Sequence, residues 1–564
     1  MESFNLVTEP WIKVLDCCTN EEKKVSIKEL FQNAAMYRQL TGEMHAQDLA
    51  ILRLLEAILI TVYTRIDSSD QPYDWVTLDE KMHLKKCDQP SRIGLMMSLV
   101  KTWQNLYEAG HFSNAVFKYL DRNIASFDLF GKKPFYQVTA EQYDSFVPDN
   151  KKIAKNTGTV SLMQINRLVS ESGNSIAIFS PKSPDMKNKM PMDELVRWVI
   201  TYQNFAGVTD KTKAQLKIKT KDKMPNSRGW LYTLNPVFVQ GKNLFETFML
   251  NMLLFNPSRP LYVPQRPVWE EQLTEYVKKR LTQIKPDNFA ETYSVWARLL
   301  YIEWKDENPK IFSAGLPPFE SGNTFDIEPM SIWRKGKKDE IYYPATRQLN
   351  SVGRAMWHNF GQYVGISSVN ESQKPMCVEW LNYLKDQKII GENCLINLHT
   401  SGIISNGGAT SLSPAVEFDD NLRIEADVLF DQSKDKKNIW PVRIEEMVEL
   451  NQEVGRKYYR FLMEVGQIRF GEQKAEDYAG RQSQVFYNNL NEPFMKWLSG
   501  LTVEDDREVK QKIWKQELRK IALKVLDDFL DIIAPRDISG KEGNNIFIAA
   551  NKYRAGINNA LNKR

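Results

Sequence analysis

Histidines and acidic residues are the side chains most able to do catalytic chemistry in this sequence. None of the five histidines lies in an HExxH, HxE or HD arrangement, so we expect structural roles for all of them. They are His45, His83, His111, His358 and His399. Acidic pairs such as Asp419-Asp420 are sequence neighbours, whose side chains point apart on a helix or strand, so they make poor two-metal sites.

The common catalytic and nucleotide-binding motifs are also missing from the sequence. It contains no GxSxG elbow, no Walker phosphate loop and no GxGxxG after a strand. Five scattered cysteines without a CxxC pair offer neither a zinc site nor a disulfide framework. The sequence therefore predicts a protein that is not an enzyme, with no catalytic residues, no metal and no cofactor.

Residues 198–236 combine a glycine turn with concentrated positive charge. Six lysines and one arginine lie between Lys211 and Arg228, against one acid, Asp222. A glycine lets the backbone approach a ligand closely, and the charge that follows suits a polyanion. Taken alone, the stretch is more typical of a solvated, disordered loop than of a binding site.

Two further turns have the same double interpretation. Residues 334–338 form a basic turn, and Asn406-Gly407-Gly408 is a strong tight-turn signal. A basic turn is usually only solvated, and paired glycines usually serve conformation. Together with the turn at Gly207, they favour a non-catalytic surface that binds duplex nucleic acid.

The elements that position these turns can be predicted from periodicity. Helical spacing of apolar residues predicts a long helix over residues 46–64, a buried helix over 244–255 and helical structure over 269–308. A hairpin is expected with strands 330–333 and 341–343, and further strands are expected at 395–400 and 422–429. After Trp440 only helical periods follow, with breaks near Gly466, Gly500 and Pro535.

These patterns predict an α+β protein in two parts. A large mixed α/β N-terminal domain covers residues 1–440, and a C-terminal four-helix bundle covers 441–564. A net charge of +4 makes the basicity local rather than global. No apolar run reaches the length of a membrane span and no signal peptide is recognisable, so we expect a cytoplasmic protein.

Several segments closely resemble one known family. NLVTEPWIKV, VSIKELFQNA and AQDLAILRLLEAIL near the start are similar to the large subunit of the type I-E CRISPR Cascade complex, the CasA family. FDLFGKKPFYQV, QNFAGVTDKTK and YYPATRQLNSVGRAMWH extend the resemblance over nearly the whole chain. It implies a non-catalytic subunit that recognises the PAM of double-stranded DNA, promotes duplex opening and R-loop formation, and recruits a helicase–nuclease.

The implied partners are the other Cascade subunits with their crRNA, double-stranded target DNA and the CRISPR helicase–nuclease, without a membrane. A purely structural adaptor, which bridges the guide complex and the nuclease without reading DNA, is the alternative. Binding of duplex DNA by complexes with and without this chain distinguishes the two.

The resemblance also assigns roles to particular residues. It implies a PAM-contacting glycine loop at Ala206, Gly207, Val208 and Thr209. It implies a hairpin wedge that splits the first base pair at Ser405, Asn406, Gly407, Gly408, Ala409 and Thr410. Contacts to the guide complex fall on Asn166, Arg167, Leu168 and Val169.

The lysines are assigned by charge. Lys211, Lys213, Lys217, Lys219 and Lys221 are candidates for binding flanking phosphates, and Lys335, Lys337 and Lys338 for the family's minor-groove lysine. The sequence departs from some relatives in having a single glycine in the first loop and no glutamine at the wedge tip. The PAM preference is therefore open.

Overall fold

The computed structural model describes twelve stretches of the chain, and all structural statements below concern them. They are residues 3–169, 171, 180–207, 212–218, 225–305, 307–347, 353–366, 372–391, 394–405, 415–433, 435 and 438–562. The chain divides into two compact units. The first comprises Met1–Val352, Asn370–Tyr383 and His399–Asp419, and the second Gly353–Val369, Leu384–Leu398 and Asp420–Arg564.

The first unit is built around one helix that is buried on every side. This central helix, His45–Tyr63, agrees with the predicted span of 46–64, and it buries every residue except His45 and Asp48, including the polar Gln47, Arg53 and Glu56. The other α-helices that begin in this unit are Ile27–Gln32, Arg92–Ala109, Asn114–Arg122, Ala140–Ser145, Leu162–Ile165, Met192–Phe205, Leu244–Asn251, Leu273–Leu281, Phe289–Tyr293 and Met376–Asp386. Single 3-10 turns lie at Ala34–Met36, Ile124–Ser126, Asp149–Lys151, Ile153–Lys155, Leu231–Thr233 and Val268–Glu270.

The described strands form small sheets instead of one large one. Four sheets have three strands each. The first has the strand order Glu22–Val25, Ile12–Asp16, Tyr37–Leu40, and the second has the order Tyr342–Pro344, Trp333–Lys335, Ser372–Gln373. The third has the order Thr159–Val160, Lys310–Gly315, Arg298–Glu303, and the fourth has the order Ala415–Glu425, Leu395–Ser405, Phe238–Gln240. A two-stranded sheet pairs Val76–Leu78 with Leu84–Cys87. Helices and these sheets together confirm the predicted α+β class.

Three of the predicted elements were wrong in type or extent. Arg298–Glu303, which was expected to be helical, is a strand paired with Lys310–Gly315 in antiparallel register. The basic hairpin has strands Trp333–Lys335 and Tyr342–Pro344, so Arg334 and Lys335 belong to a strand and not to the turn. The later strands extend over Leu395–Ser405 and Ala415–Glu425, and Ala426–Leu429 is a helix.

The second unit is helical from Trp440 onward. Between residues 438 and 562 the helices are Trp440–Phe470, Glu472–Gln482, Gln484–Ser499, Arg507–Leu530, Pro535–Ser539 and Ile546–Leu561. The four longest give the predicted bundle. The break expected at Gly466 is absent, since helix Trp440–Phe470 continues through this residue. A Cβ atom there would lie 2.9 Å from the Ala475 backbone, so this glycine lets two helices approach closely.

Two shorter helices and one 3-10 turn complete the second unit, at Phe360–Val364, Ala426–Leu429 and Met356–Asn359. Among all the helices formed by the described residues, none combines the length and the apolar character needed to cross a membrane.

One buried ion pair fixes the central helix to distant parts of the first unit. Both guanidinium NH groups of Arg53 donate to the Glu328 carboxylate at 2.8 Å, and neither side chain is exposed. The same carboxylate accepts the Trp230 indole N–H at 2.5 Å and the Met330 backbone N–H at 3.0 Å. The Arg53 guanidinium lies 4.2 Å from the centre of the Tyr293 ring. Such a pair is stable only when most of its hydrogen bonds are satisfied, and here both terminal NH groups of Arg53 and both oxygens of Glu328 have partners.

We expect Arg53→Met to destabilise the first unit by about 3–5 kcal/mol, because Glu328 would remain buried without a compensating charge. Hydrogen exchange of the central-helix amides measures this loss. Lys278→Met, which removes an exposed partner of Glu275 at 3.6 Å, is the matched control and should change stability by less than about 1 kcal/mol. Equal effects of the two substitutions would contradict a central role for the buried pair.

Candidate nucleic-acid interface

The start of the glycine loop is held by hydrogen bonds to its backbone. Helix Met192–Phe205 ends at Ala206, whose carbonyl accepts the Gly229 N–H at 2.8 Å. The next carbonyl, that of Gly207, accepts the buried Arg298 guanidinium at 2.7 Å. Ala206 and Gly207 are therefore fixed, and Val208 and Thr209 lie outside the described residues.

Gln203 ties the end of the same helix to the sheet behind it. Its side-chain amide donates to the carbonyls of Tyr136 at 3.1 Å and Arg298 at 3.0 Å. Its side-chain oxygen accepts the N–H groups of Ala297 and Arg298 at 2.9 and 3.0 Å. Because this buried amide uses its full hydrogen-bonding capacity, the position of the helix end is defined tightly.

Gly229 is required by a close backbone approach. A Cβ atom there would lie 2.1 Å from the Asn204 carbonyl oxygen, and a backbone atom cannot move aside as a flexible side chain can. Arg298, Gln203 and Gly229 were not predicted as site residues. Of these, only Gly229 carried a local signal, as the glycine of the Arg228-Gly229-Trp230 segment.

The beginning of the lysine-rich segment is packed against a sheet. The Gly315 N–H donates to the Thr212 carbonyl at 2.9 Å, and the Ala214 N–H donates to the Gly315 carbonyl at 3.0 Å. Thr212 and Ala214 are buried, whereas Lys213 and Lys217 are exposed. The disordered-loop interpretation is therefore wrong for residues 212–218, because alternate side chains enter the core.

Lys211, Lys219 and Lys221, the other candidates for phosphate contacts in this segment, lie outside the described residues.

The proposed guide-contact turn follows helix Leu162–Ile165. Asn166 and Val169 are buried, and the Asn166 side-chain oxygen accepts the Leu168 N–H at 3.0 Å. Leu168 is 46% exposed, so it is the outward residue of the turn. Burial lowers the pKa of Arg167, and the nearby Tyr202 and Tyr232 oppose that shift. Because the Arg298 guanidinium also lies over the Tyr202 ring, this turn and the glycine loop share one neighbourhood.

The two strands Leu395–Ser405 and Ala415–Glu425 form the stem of the wedge hairpin. Each has eleven residues, which corresponds to about 35 Å of extended chain. Ser405 ends the first strand, and Asn406, Gly407, Gly408, Ala409 and Thr410 lie outside the described residues. A Cβ at Gly402 would meet the Phe418 ring at 2.7 Å, and the Arg347 guanidinium covers that ring at 4.4 Å. The stem is thus internally packed.

An acidic group joins the stem to the N-terminus of the central helix. The Glu417 carboxylate accepts the Ala46 N–H at 2.8 Å, which suits the positive end of a helix dipole. Asp419 lies 2.6 Å from His399 Nε2 and 3.9 Å from His45 Nε2. Burial raises the pKa of Asp48 to about 8, with further contributions from Glu43, Glu417 and Asp419, although the Gly42 N–H opposes the shift. Packing the stem here therefore crowds several carboxyl groups.

The basic hairpin reaches the stem through residues 236–240. The Val237 N–H donates to the Met330 carbonyl at 2.9 Å, and the Thr400 hydroxyl donates to the Pro236 carbonyl at 2.6 Å. In the hairpin, Lys335 pairs with Glu340. Lys337 and Lys338 are exposed and form no ion pair with any described residue, so they are the free cations among the three candidates.

The described residues contain no group of three or more histidine, cysteine or acidic side chains arranged to hold a metal ion.

The structure gathers the glycine loop, the guide-contact turn and Lys213 in one neighbourhood. It gathers the wedge stem and the basic hairpin in another, connected by residues 236–240.

Solved structures with this architecture are CRISPR-associated proteins. The chain is 19% identical to Cse1 of Thermobifida fusca, with a TM-score of 0.76 over 99% of this chain and 98% of that one. It is 19% identical to Cse1 of Acidimicrobium ferrooxidans, with a TM-score of 0.71 over 100% and 99%. It is 17% identical to the Thermus thermophilus protein described as CasA (Cse1), with a TM-score of 0.66 over 100% and 99%. No curated protein matched the sequence.

Residues 5–525 match the family of CRISPR-associated protein Cse1. The chain belongs to this family, which confirms the CasA resemblance because the Thermus structure carries both names.

We expect Gly229→Ala to destabilise the glycine loop by about 1–3 kcal/mol, because the new methyl group would collide with the Asn204 carbonyl. Faster hydrogen exchange at residues 204–207 would report the change. Gly480→Ala is the control, since no atom lies within 4 Å of a Cβ at that exposed helical position. The control should be neutral or stabilising by up to about 1 kcal/mol. Unchanged exchange in Gly229→Ala would refute the requirement for glycine.

The raised pKa of Asp48 predicts a pH dependence of stability. A free aspartate has a pKa of about 3.9, so between pH 4 and 8 the folded state binds more protons at this site than the unfolded state. Stability should therefore fall as pH rises through this window, by at most about 1.4 kcal/mol per pH unit. Asp48→Asn should remove that part of the fall.

The difference between the unfolding midpoints of wild type and Asp48→Asn, followed from pH 4 to 8, isolates this carboxyl from other titrating groups. Asp74→Asn, at an exposed aspartate, is the matched control for the loss of a carboxyl group. If the midpoint difference for Asp48→Asn did not change with pH, Asp48 would be charged in the folded protein throughout this range.

Proposed function

We propose that the chain is the non-catalytic large subunit of a crRNA-guided type I-E Cascade complex and that it reads the PAM of double-stranded DNA. Membership of the Cse1 family supports this proposal. A further structural relative, 13% identical with a TM-score of 0.67, is a chain of a solved CRISPR RNA-guided surveillance complex. In this proposal the partners are the other Cascade subunits, crRNA, target DNA and the helicase–nuclease, in the cytoplasm.

The observation that carries the DNA-reading part is the fixed start of the glycine loop. Arg298 and Gly229 bind the carbonyls of Gly207 and Ala206, so the backbone of these two residues is held in a defined position. Both residues are buried, so in this proposal they act as the anchor of the loop, and an anchored loop has less conformational freedom to lose when it binds a ligand. Glycine at that point leaves room for close approach, which suits the minor groove of a duplex.

The hairpin that carries residues 406–410 is proposed to act as the wedge. Its stem is long, packed through Phe418 and Gly402, and tied to the central helix through Glu417. A wedge must keep its stem folded while its tip separates a base pair, which costs a few kcal/mol per base step.

We assign DNA and guide binding to residues 1–440 and the helical bundle to 441–564. In this proposal, R-loop formation and nuclease recruitment follow from PAM binding.

The test of this function is a binding assay with the reconstituted complex and PAM-bearing DNA. Gly207→Leu should assemble normally but lower the affinity for that DNA at least about tenfold, because a side chain replaces the close backbone approach. Gly480→Leu, at an exposed glycine of the second unit, is the control and should bind as wild type does. Normal assembly together with unchanged PAM affinity would instead support the structural adaptor.

The exposed lysines of the packed segment yield a separate prediction. Lys213→Ala with Lys217→Ala should lower the affinity for all duplexes and reduce the slope of log affinity against log salt by about 0.9 for each lost phosphate contact. Lys101→Ala, at an exposed lysine on helix Arg92–Ala109, is the control. A slope equal to that of wild type would leave these two lysines as solvated side chains.

A further inference from the structure

A cavity of about 630 Å³ lies in the first unit, apart from all the residues considered above for DNA. Its walls come from the turn that contains Lys81 and His83, the segment from Arg122 to Gln142, and residues 268–276. This volume falls in the range of pockets that bind small molecules and is large enough for a nucleotide. The proposed nucleic-acid functions do not use it.

Four cationic side chains line this cavity: Lys81, Arg122, Lys132 and Lys133. Lys133 donates to the Trp269 carbonyl. The other three form no ion pair with any described residue, and all four side chains are largely exposed at the cavity. Several cations gathered around one concave space raise the local potential and favour an anion.

Of the three acids in the same walls, Glu270 and Glu271 are paired with cations, and Asp79 keeps its charge. Glu270 forms a two-point ion pair with the buried Arg65, at 3.0 and 2.8 Å, and accepts the Tyr119 hydroxyl at 2.6 Å. Glu271 pairs with Lys279 at 2.6 Å. Asp79 accepts the backbone N–H groups of Lys81 and His83 at 2.8 Å. The charge presented to a ligand is therefore positive.

The tautomer of His83, which also lines the cavity, is set by its neighbour. The Asn123 amide nitrogen donates to the carbonyls of Lys81 and Tyr119, at 2.9 and 3.0 Å, so its oxygen must face His83 Nε2 at 2.7 Å. The proton consequently lies on Nε2. Nδ1 gains a proton only when the ring is charged, and it then lies 3.8 Å from the Asp79 carboxylate.

The remaining wall is aromatic. Trp296 is half-buried, and its backbone N–H donates to the Tyr276 hydroxyl at 2.8 Å, so its backbone is fixed while part of the residue stays accessible. Tyr136 packs on Trp296 with ring centres 6.0 Å apart. The backbone of Tyr136 is left-handed, with φ at 53°, a strained conformation that is enriched at binding sites. A flat accessible ring beside a ring of cations suits a nucleobase joined to phosphate.

From this juxtaposition we propose that the cavity is a binding site for a free nucleotide, with the phosphates held by Lys81, Arg122 and Lys132 and the base stacked against Trp296. A concave space of this size suits a mononucleotide. This proposal does not rest on PAM recognition and would stand if that function were wrong.

Isothermal titration of the full-length protein with ADP, AMP and inorganic phosphate tests the proposal. We expect ADP to bind more tightly than AMP, and inorganic phosphate to bind at least about tenfold more weakly than ADP, because it lacks the base. Lys81→Glu with Arg122→Glu should weaken ADP at least about tenfold. Lys101→Glu with Lys278→Glu, which reverses two exposed lysines outside the cavity, should leave ADP binding within about twofold of wild type.

Trp296→Leu separates the two halves of the site. It should weaken ADP and leave pyrophosphate unchanged, since only the stacking surface is lost; an unchanged melting temperature of each variant confirms folding. No heat with ADP at millimolar concentration would overturn the proposal, as would equal affinities for ADP and phosphate. Binding that the cavity charge reversals do not alter, or binding of oligonucleotides but not of ADP, would overturn it too.

Discussion

The buried contact between Arg53 and Glu328 is the constraint on which the first unit depends. Removing two charges from water costs several kcal/mol, so the pair persists only because every neighbour supplies a hydrogen bond or a ring. Those neighbours are Trp230, Met330 and Tyr293, which come from three separate segments of the chain. Trp230 follows Gly229, which binds the glycine loop, and Met330 binds residue 237 on the way to the wedge stem. One ion pair thus fixes the starting points of both proposed DNA-contacting elements.

Sequence periodicity predicted the elements whose environment is uniform. The central helix is buried on all sides, and the bundle helices each have one apolar stripe, so pattern and structure agree over long spans. The helix predicted for residues 298–303 was wrong, because RLLYIE is a short apolar run that periodicity cannot assign to helix or strand. Its pairing with Lys310–Gly315 decides the outcome, and that contact is not visible locally. The same holds for Gly466, whose role depends on the neighbouring helix.

The candidate site was predictable only in its exposed parts. Glycine turns and lysines have local signatures, and the resemblance placed them in a family that the comparisons confirm. Arg298 and Gln203 gave no such signal, because their importance lies in contacts 91 to 95 residues away along the chain. A buried arginine that binds a carbonyl looks, in sequence, like any other arginine. Supporting residues of this kind can be identified only from the fold, whereas the residues that they support can be predicted from the sequence.

The packing of residues 212–218 has a consequence for how DNA could be held. Because Thr212 and Ala214 are buried, Lys213 must point outward, and Lys217 is exposed four residues later. Four residues span at most about 13 Å of extended chain. One strand of B-DNA advances about 3.4 Å per phosphate along the axis, so the two lysines are within about four nucleotide steps of each other. Under the proposed function, two cations at that spacing, on a segment anchored to Gly315, would lie along one strand of a bound duplex. The buried side chains of Thr212 and Ala214 therefore order this segment, and this order makes its lysines a directed surface.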